Sequence, residues 1–175
     1  QTDVPALLNP VQVSAGYMYT CALDDNGFQC WGNNGSGQTN VPVISKPVQV
    51  GTGSNHTCIL DGSEVKCWGD NSSGQTDVPA LSNPVQMAVG ESHTCVIDDN
   101  GLQCWGSRSF VPVLLNPVLV SAGGNNTCAL DDNGLQCWDG QTDVPALVNP
   151  VQLSVGIGHT CAIDDIGVQC WGSNF

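Results

Sequence analysis

The dipeptide Val-Pro recurs at Val4-Pro5, Val41-Pro42, Val78-Pro79, Val111-Pro112 and Val144-Pro145, in steps of 37, 37, 33 and 33 residues. Self-similarity at this period marks propellers and solenoids, where each repeat is one small unit that cannot bury its apolar face alone. The remaining prolines, Pro10, Pro47, Pro84, Pro117 and Pro150, each follow five residues later. Every cysteine and every tryptophan falls in the same register. The 175 residues thus read as one repeat domain, divided into 1–37, 38–74, 75–107, 108–140 and 141–175.

Within a repeat the signals are those of strands. Val11-Gln12-Val13 alternates apolar and polar side chains, the period of a half-buried strand. Thr20-Cys21-Ala22-Leu23 and Phe28-Gln29-Cys30-Trp31 flank Asp24-Asp25-Asn26-Gly27. Asp and Asn favour turns and Gly supplies a positive φ, so this segment predicts a β-hairpin. Sustained helical periodicity is absent. The repeats differ mainly in the connector after the tryptophan, which is long at Asn33–Gly37 and Asp70–Gly74 and shorter in the next two repeats. Length variation at one fixed place predicts a surface connector.

The ten cysteines form five equally spaced pairs: Cys21/Cys30, Cys58/Cys67, Cys95/Cys104, Cys128/Cys137 and Cys161/Cys170. Setting Leu23 opposite Phe28 across the turn puts Cys21 directly opposite Cys30, within disulfide range. Zinc sites favour closer cysteine spacing, so the interval predicts one within-hairpin disulfide per repeat. Each would close a loop of about ten residues and contribute about 2.5 kcal/mol. Disulfides in turn predict an oxidising, extracellular setting.

Composition excludes several function classes. Three Lys and Arg against sixteen Asp and Glu give a net charge of −13, which argues against nucleic acid and anionic membrane surfaces. No apolar run is long enough for a spanning helix, so no membrane insertion is expected. The chain starts at Gln1 without a signal-peptide pattern, which reads as a processed form or a segment of a longer chain.

The stretches GSNHTCILDGSEVKCWGDNSSGQTDVP (Gly53 to Pro79) and GESHTCVIDDNGLQCWG (Gly90 to Gly106) resemble the repeat of the regulator-of-chromosome-condensation family. That pattern runs from a glycine through His-Thr and a short apolar strand to a Gly turn, then Trp-Gly-x-Asn and Gly-Gln. The resemblance covers the chain five times over, and the short bacterial members, a secreted β-lactamase inhibitor among them, are nearest in repeat length. It implies a β-propeller with about one blade per repeat. Family propellers usually have seven blades, against five repeats here. The nuclear founder's work on a small GTPase and chromatin suits neither the acidity nor the cysteines. The Arg-rich dimer interface of a plant ultraviolet photoreceptor in the family is not matched by a chain with Arg108 as its one arginine.

Candidate site residues are few. His56, His93 and His159 share one repeat slot, filled by Tyr19 and Asn126 elsewhere. One position copied around an array reads as packing, because a metal or catalytic centre needs different residues converging. Trp31, Trp68, Trp105, Trp138 and Trp171 read as core between blades rather than sugar platforms. The Asp-Asp-Asn-Gly turns lack the alternating ligand spacing of a calcium loop. No nucleophile elbow is present, so no enzyme, no metal and no cofactor are expected. Asn34, Asn55, Asn71 and Asn125 head N-glycosylation sequons, those at Asn34 and Asn71 lying in the long connectors.

These features predict an all-β fold: a β-propeller of about five blades built from five repeats, closed or continued head-to-tail by a neighbouring chain. Both terminal repeats look like interior ones, without the polar caps that stacked repeats need. Cys170-Trp171-Gly172-Ser173-Asn174-Phe175 stops where another repeat would begin, and Gln1-Thr2-Asp3-Val4-Pro5 supplies such a beginning. The expected function is an extracellular, non-catalytic scaffold with a protein partner or self-association into fibrils. A multivalent lectin, with glycan as partner, and an inhibitor of a secreted enzyme are the competing readings.

Overall fold

A computed structural model describes residues 2–140 and 142–173. The sequence-expected seam between Gln1 and Phe175 lies outside the described residues. Five antiparallel sheets of three strands follow one another along the chain. They are β1 (Gln12–Ala15), β2 (Tyr19–Asp24) and β3 (Gly27–Gly32); β4 (Pro47–Thr52), β5 (His56–Asp61) and β6 (Glu64–Gly69); and β7 (Gln86–Val89), β8 (His93–Asp98) and β9 (Gly101–Gly106). The last two are β10 (Leu119–Gly123), β11 (Asn126–Asp131) and β12 (Gly134–Trp138), then β13 (Gln152–Val155), β14 (His159–Asp164) and β15 (Gly167–Gly172). Each sheet is a blade with its first strand innermost. All five first strands line one central channel. Blade contacts run β1–β4–β7–β10–β13, with no comparable contact returning from β13 to β1. The fold is an open arc of propeller blades.

Hairpin register follows the cysteines. Leu23 faces Phe28 and Cys21 faces Cys30, and the same pairing recurs in every blade. The disulfides are Cys21–Cys30, Cys58–Cys67, Cys95–Cys104, Cys128–Cys137 and Cys161–Cys170, each with Cα atoms 4.1 Å apart. The pairing is the expected one, but the two ends of a staple differ in a way the even spacing does not reveal. Cys21, Cys58, Cys95 and Cys128, on the middle strand, are fully buried. Their partners Cys30, Cys67, Cys104 and Cys137, on the outer strand, are only half-buried, and Cys170 is exposed. The middle strand is covered on both sides by its own sheet, whereas the outer strand is a sheet edge.

The turn itself differs from the simplest two-residue hairpin. Its central residues Asp25 and Asn26 keep negative φ, and Gly27, just after them, carries φ +110°. That is a type I turn followed by a glycine bulge. Blade 2 departs: Gly62 takes φ +68° at the first turn position, the type II′ solution.

A buried carboxylate ties each turn to the loop leading into its blade, which is Asn-Pro in every blade but the second. Asp24 accepts from the Leu8 and Asn26 amides, and Asp98 from those of Ser82 and Asn100. Gln29 and Gln103 donate to the same two carboxylates from the facing strand. A second clasp joins Asn9 to Asp25, Asn83 to Asp99, Asn116 to Asp132 and Asn149 to Asp165. Blade 2 has Lys46 and Gly62 at those two positions, so both partners of its clasp change together. Lys66, in the Gln slot, ion-pairs with Asp61 at 2.6 Å.

The long connectors carry an exposed turn, but the glutamine that follows it is not a surface residue. Gln38 and Gln75 are buried, and their carbonyls accept from Trp68 Nε1 and Trp105 Nε1 of the following blade, both at 3.0 Å. No helix among the described residues is long and apolar enough to cross a membrane.

Replacing Cys95 and Cys104 together by alanine should lower stability by about 2.5 kcal/mol, the cost of freeing a loop of about ten residues. Urea unfolding of the double variant beside the parent, both unreduced, measures it.

Candidate functional site: the faces between blades and their two open ends

The arc is held by a small set of side chains that recur at its junctions. In the first, Gln12 Oε1 accepts from the Val50 amide at 3.0 Å, and Gln12 Nε2 donates to the Val50 carbonyl. Gln49 makes the same two-way clasp on Met87, at 2.8 and 2.7 Å. Gln86 continues the pattern by accepting from the Val120 amide at 2.9 Å. Inner strands are sheet edges, and these glutamines satisfy edge groups that burial would otherwise leave unpaired. Serines form a second row: Ser14 Oγ accepts from the Thr52 amide and Ser121 Oγ from the Val155 amide.

The histidine slot forms the third row. His56 Nε2 lies 3.0 Å from Thr94 Oγ1 and His93 Nε2 lies 2.8 Å from Thr127 Oγ1. Asn126 does the same with Thr160, while Tyr19 bonds the His56 carbonyl and Thr57. Because Thr94 gives its own hydrogen to the Gln75 carbonyl, His56 must donate through Nε2. His56 Nδ1 is then left bare, buried and without a protein partner, as is His93 Nδ1. Burial, with the neighbouring His93 adding to it, lowers the His56 pKa to about 4. Burial, helped by Arg108, likewise lowers His93 to about 4. Both rings are neutral, and His56 serves as a structural donor. The glycine three residues earlier makes room: a Cβ at Gly90 would lie 2.0 Å from His93 Cε1.

Apolar contacts complete each face. Trp68 meets Phe28 of the preceding blade edge-on, with ring centroids 5.8 Å apart. The staples take part as well: Cys67 packs with Met87 and Trp105 of the next blade, and Cys137 with Leu153 and Trp171. Half-buried as they are, these outer-strand sulfurs are junction filling and not free surface. Among the described residues no group of three or more His, Cys, Asp or Glu could hold a metal ion. The turn carboxylates are already engaged by the chain's own donors.

At the two ends these faces stand open. Val50, Met87, Val120 and Leu153, one repeat slot, are 4%, 3%, 4% and 9% exposed, whereas their counterpart Val13 is 67% exposed. Val13 lies in an apolar groove of about 610 Å³ on blade 1, lined also by Val4, Leu7, Thr20, Ala22 and Trp31. At the other end Ile163 is 39% and Val168 70% exposed, and Gln152, Ser154 and His159 are exposed too. Sequence reasoning placed the tryptophans between blades and read the histidines as packing, but missed Gln12, Ser14 and Gln38. Their signal was recurrence in register, as Gln12, Gln49, Gln86 and Gln152 show.

The sequons are dispersed. Asn34, Asn71 and Asn125 are exposed, and Asn55 is half-buried, accepting from Gln38. Asn34 and Asn71 brace their connectors by accepting from Thr39 and Thr76 amides.

Fold and faces define a propeller-type blade array with one disulfide staple per blade. Residues 11–38, 48–75 and 85–110 match the Regulator of chromosome condensation (RCC1) repeat. Blades 1, 2 and 3 thus match the RCC1 repeat, with a cysteine pair added to each. A search of curated proteins gives no match. Among solved structures it is similar to the entire ectodomain of the receptor kinase CR4 from Physcomitrella patens, at 26% identity and TM-score 0.81, covering 98% of this chain and 53% of that one. Similarity to the CRINKLY WD40 ectodomain of ACR4 from Arabidopsis thaliana is 28% identity and TM-score 0.78, covering 95% and 64%. Prp20p from Saccharomyces cerevisiae, described with its binding to Gsp1p and histones, shares the fold at 20% identity and TM-score 0.77, over 93% and 57%. The chain thus spans 53% to 64% of these relatives' length.

Stability should fall on acidification in two windows. His56 and His93 keep folded values near 4, below their ordinary 6.5, so the unfolded chain takes up protons first and stability is lost from about pH 6.5 down to 4. Lys66 beside Asp61 holds that carboxyl at about 2, so its contribution, complete above the ordinary carboxylate value, disappears as pH falls toward 2. Melting temperatures from pH 7 to 2 test both windows. Replacing His56 and His93 with Asn, the residue that blade 4 uses, should flatten the upper one only.

Proposed function

We propose that the chain is an extracellular, non-catalytic scaffold that binds other proteins through its blade faces, with head-to-tail self-association into fibrils as its assembled form. One observation carries this reading: the exposed faces of blades 1 and 5 are the two halves of an interface that is buried four times within the chain. The five staples suit an oxidising compartment. Similarity to two receptor-kinase ectodomains supports both the extracellular setting and a protein-binding role. Among the described residues, the side chains with shifted pKa values are already committed to structural hydrogen bonds, which supports a non-catalytic reading. A net charge of −13 favours soluble single copies and leaves association to the uncharged faces.

Sedimentation velocity across a concentration series, with negative-stain electron microscopy, tests the assembled form. Rods that lengthen with concentration are expected. A monomer at every concentration, seen as closed rings, overturns self-association. Binding to a broad glycan array with no protein partner would favour the lectin reading instead. If the protein passes through a glycosylating secretory pathway, glycosidase treatment should remove mass at Asn34 and Asn71 first, since both sit on exposed connector turns.

A further inference from the structure

We infer that the apolar groove of blade 1 is the docking site for blade 5 of a second copy, through the same contacts that join blades within the chain. The inference rests on the self-association reading above and names the residues that would carry it. The internal junctions draw on one register: the Gln slot clasps the inner strand of the next blade, the Ser slot takes the amide two residues on, and the His slot meets a threonine. Blade 5 carries all three polar side chains, in Gln152, Ser154 and His159. Blade 4 lacks the first of them, because Leu119 fills its Gln slot. The receiving positions on blade 1 are the backbone of Val13, the Ala15 amide and Thr20, which stands in the slot of Thr57, Thr94, Thr127 and Thr160.

The apolar halves match in the same way. Leu135 of blade 4 packs in one cluster with Leu153 and Trp171 of blade 5, and Val65 of blade 2 with Met87 and Trp105 of blade 3. Val168 occupies that slot on blade 5, and Val13 with Trp31 occupies the receiving slots on blade 1. All of these lie on exposed or half-exposed faces. Within one copy β13 makes no blade-type contact with β1, so the chain's own blade 1 does not cover blade 5. The partner face must offer a threonine, a free inner-strand edge and a tryptophan in register, and a second copy offers all three. Such a contact is heterologous, so each addition leaves one donor face and one receiving face open.

The test uses two variants of the 175-residue, disulfide-intact chain. Val13→Asp disables the receiving face and Val168→Asp the donor face. Both side chains are largely exposed in the single chain, so circular dichroism and melting should match the parent. The parent should assemble, each variant alone should stay monomeric, and an equimolar mixture should stop at a one-to-one dimer. A mixture that stays monomeric while the parent assembles overturns the inference, as do variants that assemble like the parent. In both cases self-association stands and uses another surface. A parent that never assembles overturns the wider reading and this one with it. His159→Ala should raise the concentration needed for assembly about tenfold, the scale of one buried hydrogen bond lost. His159→Asn should recover most of it, as Asn126 fills that slot in blade 4. Equal loss in both variants would overturn the pairing with Thr20.

Discussion

A blade of three short strands has two faces and too few residues to bury either one alone. Everything else in this protein follows from that shortage. Junctions between blades draw on small and polar side chains, Ala162, Thr57, Ser14 and the buried cysteines among them, so that adjacent backbones come close. Close approach would strand the edge groups of each inner strand, and the glutamines answer them directly, as Gln12 does with both polar groups of Val50. The disulfide lies at the same junction. Its fully buried sulfur serves as apolar filling while it holds the hairpin in register.

Charge inside the blades is handled by local donors rather than by counter-ions. Burial pushes the Asp98 carboxyl up, but hydrogen bonds from Ser82, Asn100 and Gln103 outweigh it and hold it below its ordinary value. For Asp164 the Val148 amide is the largest contribution, and it too is held low. Asp61 reaches a similar state with Lys66 in place of the Gln donor. With so few basic residues, a buried carboxylate in most blades must find backbone amides, and the Asn-Pro loops supply them.

Much of the fold was legible because its signals are local. The cysteine interval sets Cys21 against Cys30, and once those are paired Leu23 must face Phe28, since side chains alternate along a strand. The unequal burial of the two sulfurs was not legible. Cys58 and Cys67 look alike in the sequence, and only the order of strands in the sheet puts one at its centre and the other at its edge. Turn type was less legible than register. A glycine at the fourth position suits several hairpin turns, and only the backbone shows that Asp25 and Asn26 keep negative φ while Gly27 makes the bulge. The buried Gln38 was hidden for another reason. It ends an exposed, length-variable connector, and its carbonyl meets Trp68 of a blade thirty residues on. Nothing in the local pattern signals a contact made by a main-chain oxygen. The changes at Lys46, Gly62 and Lys66 were visible as departures from the repeat, but the contacts linking Lys46 to Gly62 and Lys66 to Asp61 were not.

By itself the sequence determined the unit: one stapled hairpin with a preceding strand, copied five times, in a strongly acidic chain. Those properties depend on residues within a single repeat, where spacing fixes geometry. The tertiary structure decided how the units meet, which side chains cross each junction, and that the arc stays open with Val13 at one end and Val168 at the other. Such facts depend on the rotation from one blade to the next, which accumulates over the whole array. No single repeat records that sum, so only the assembled blades reveal which faces remain uncovered.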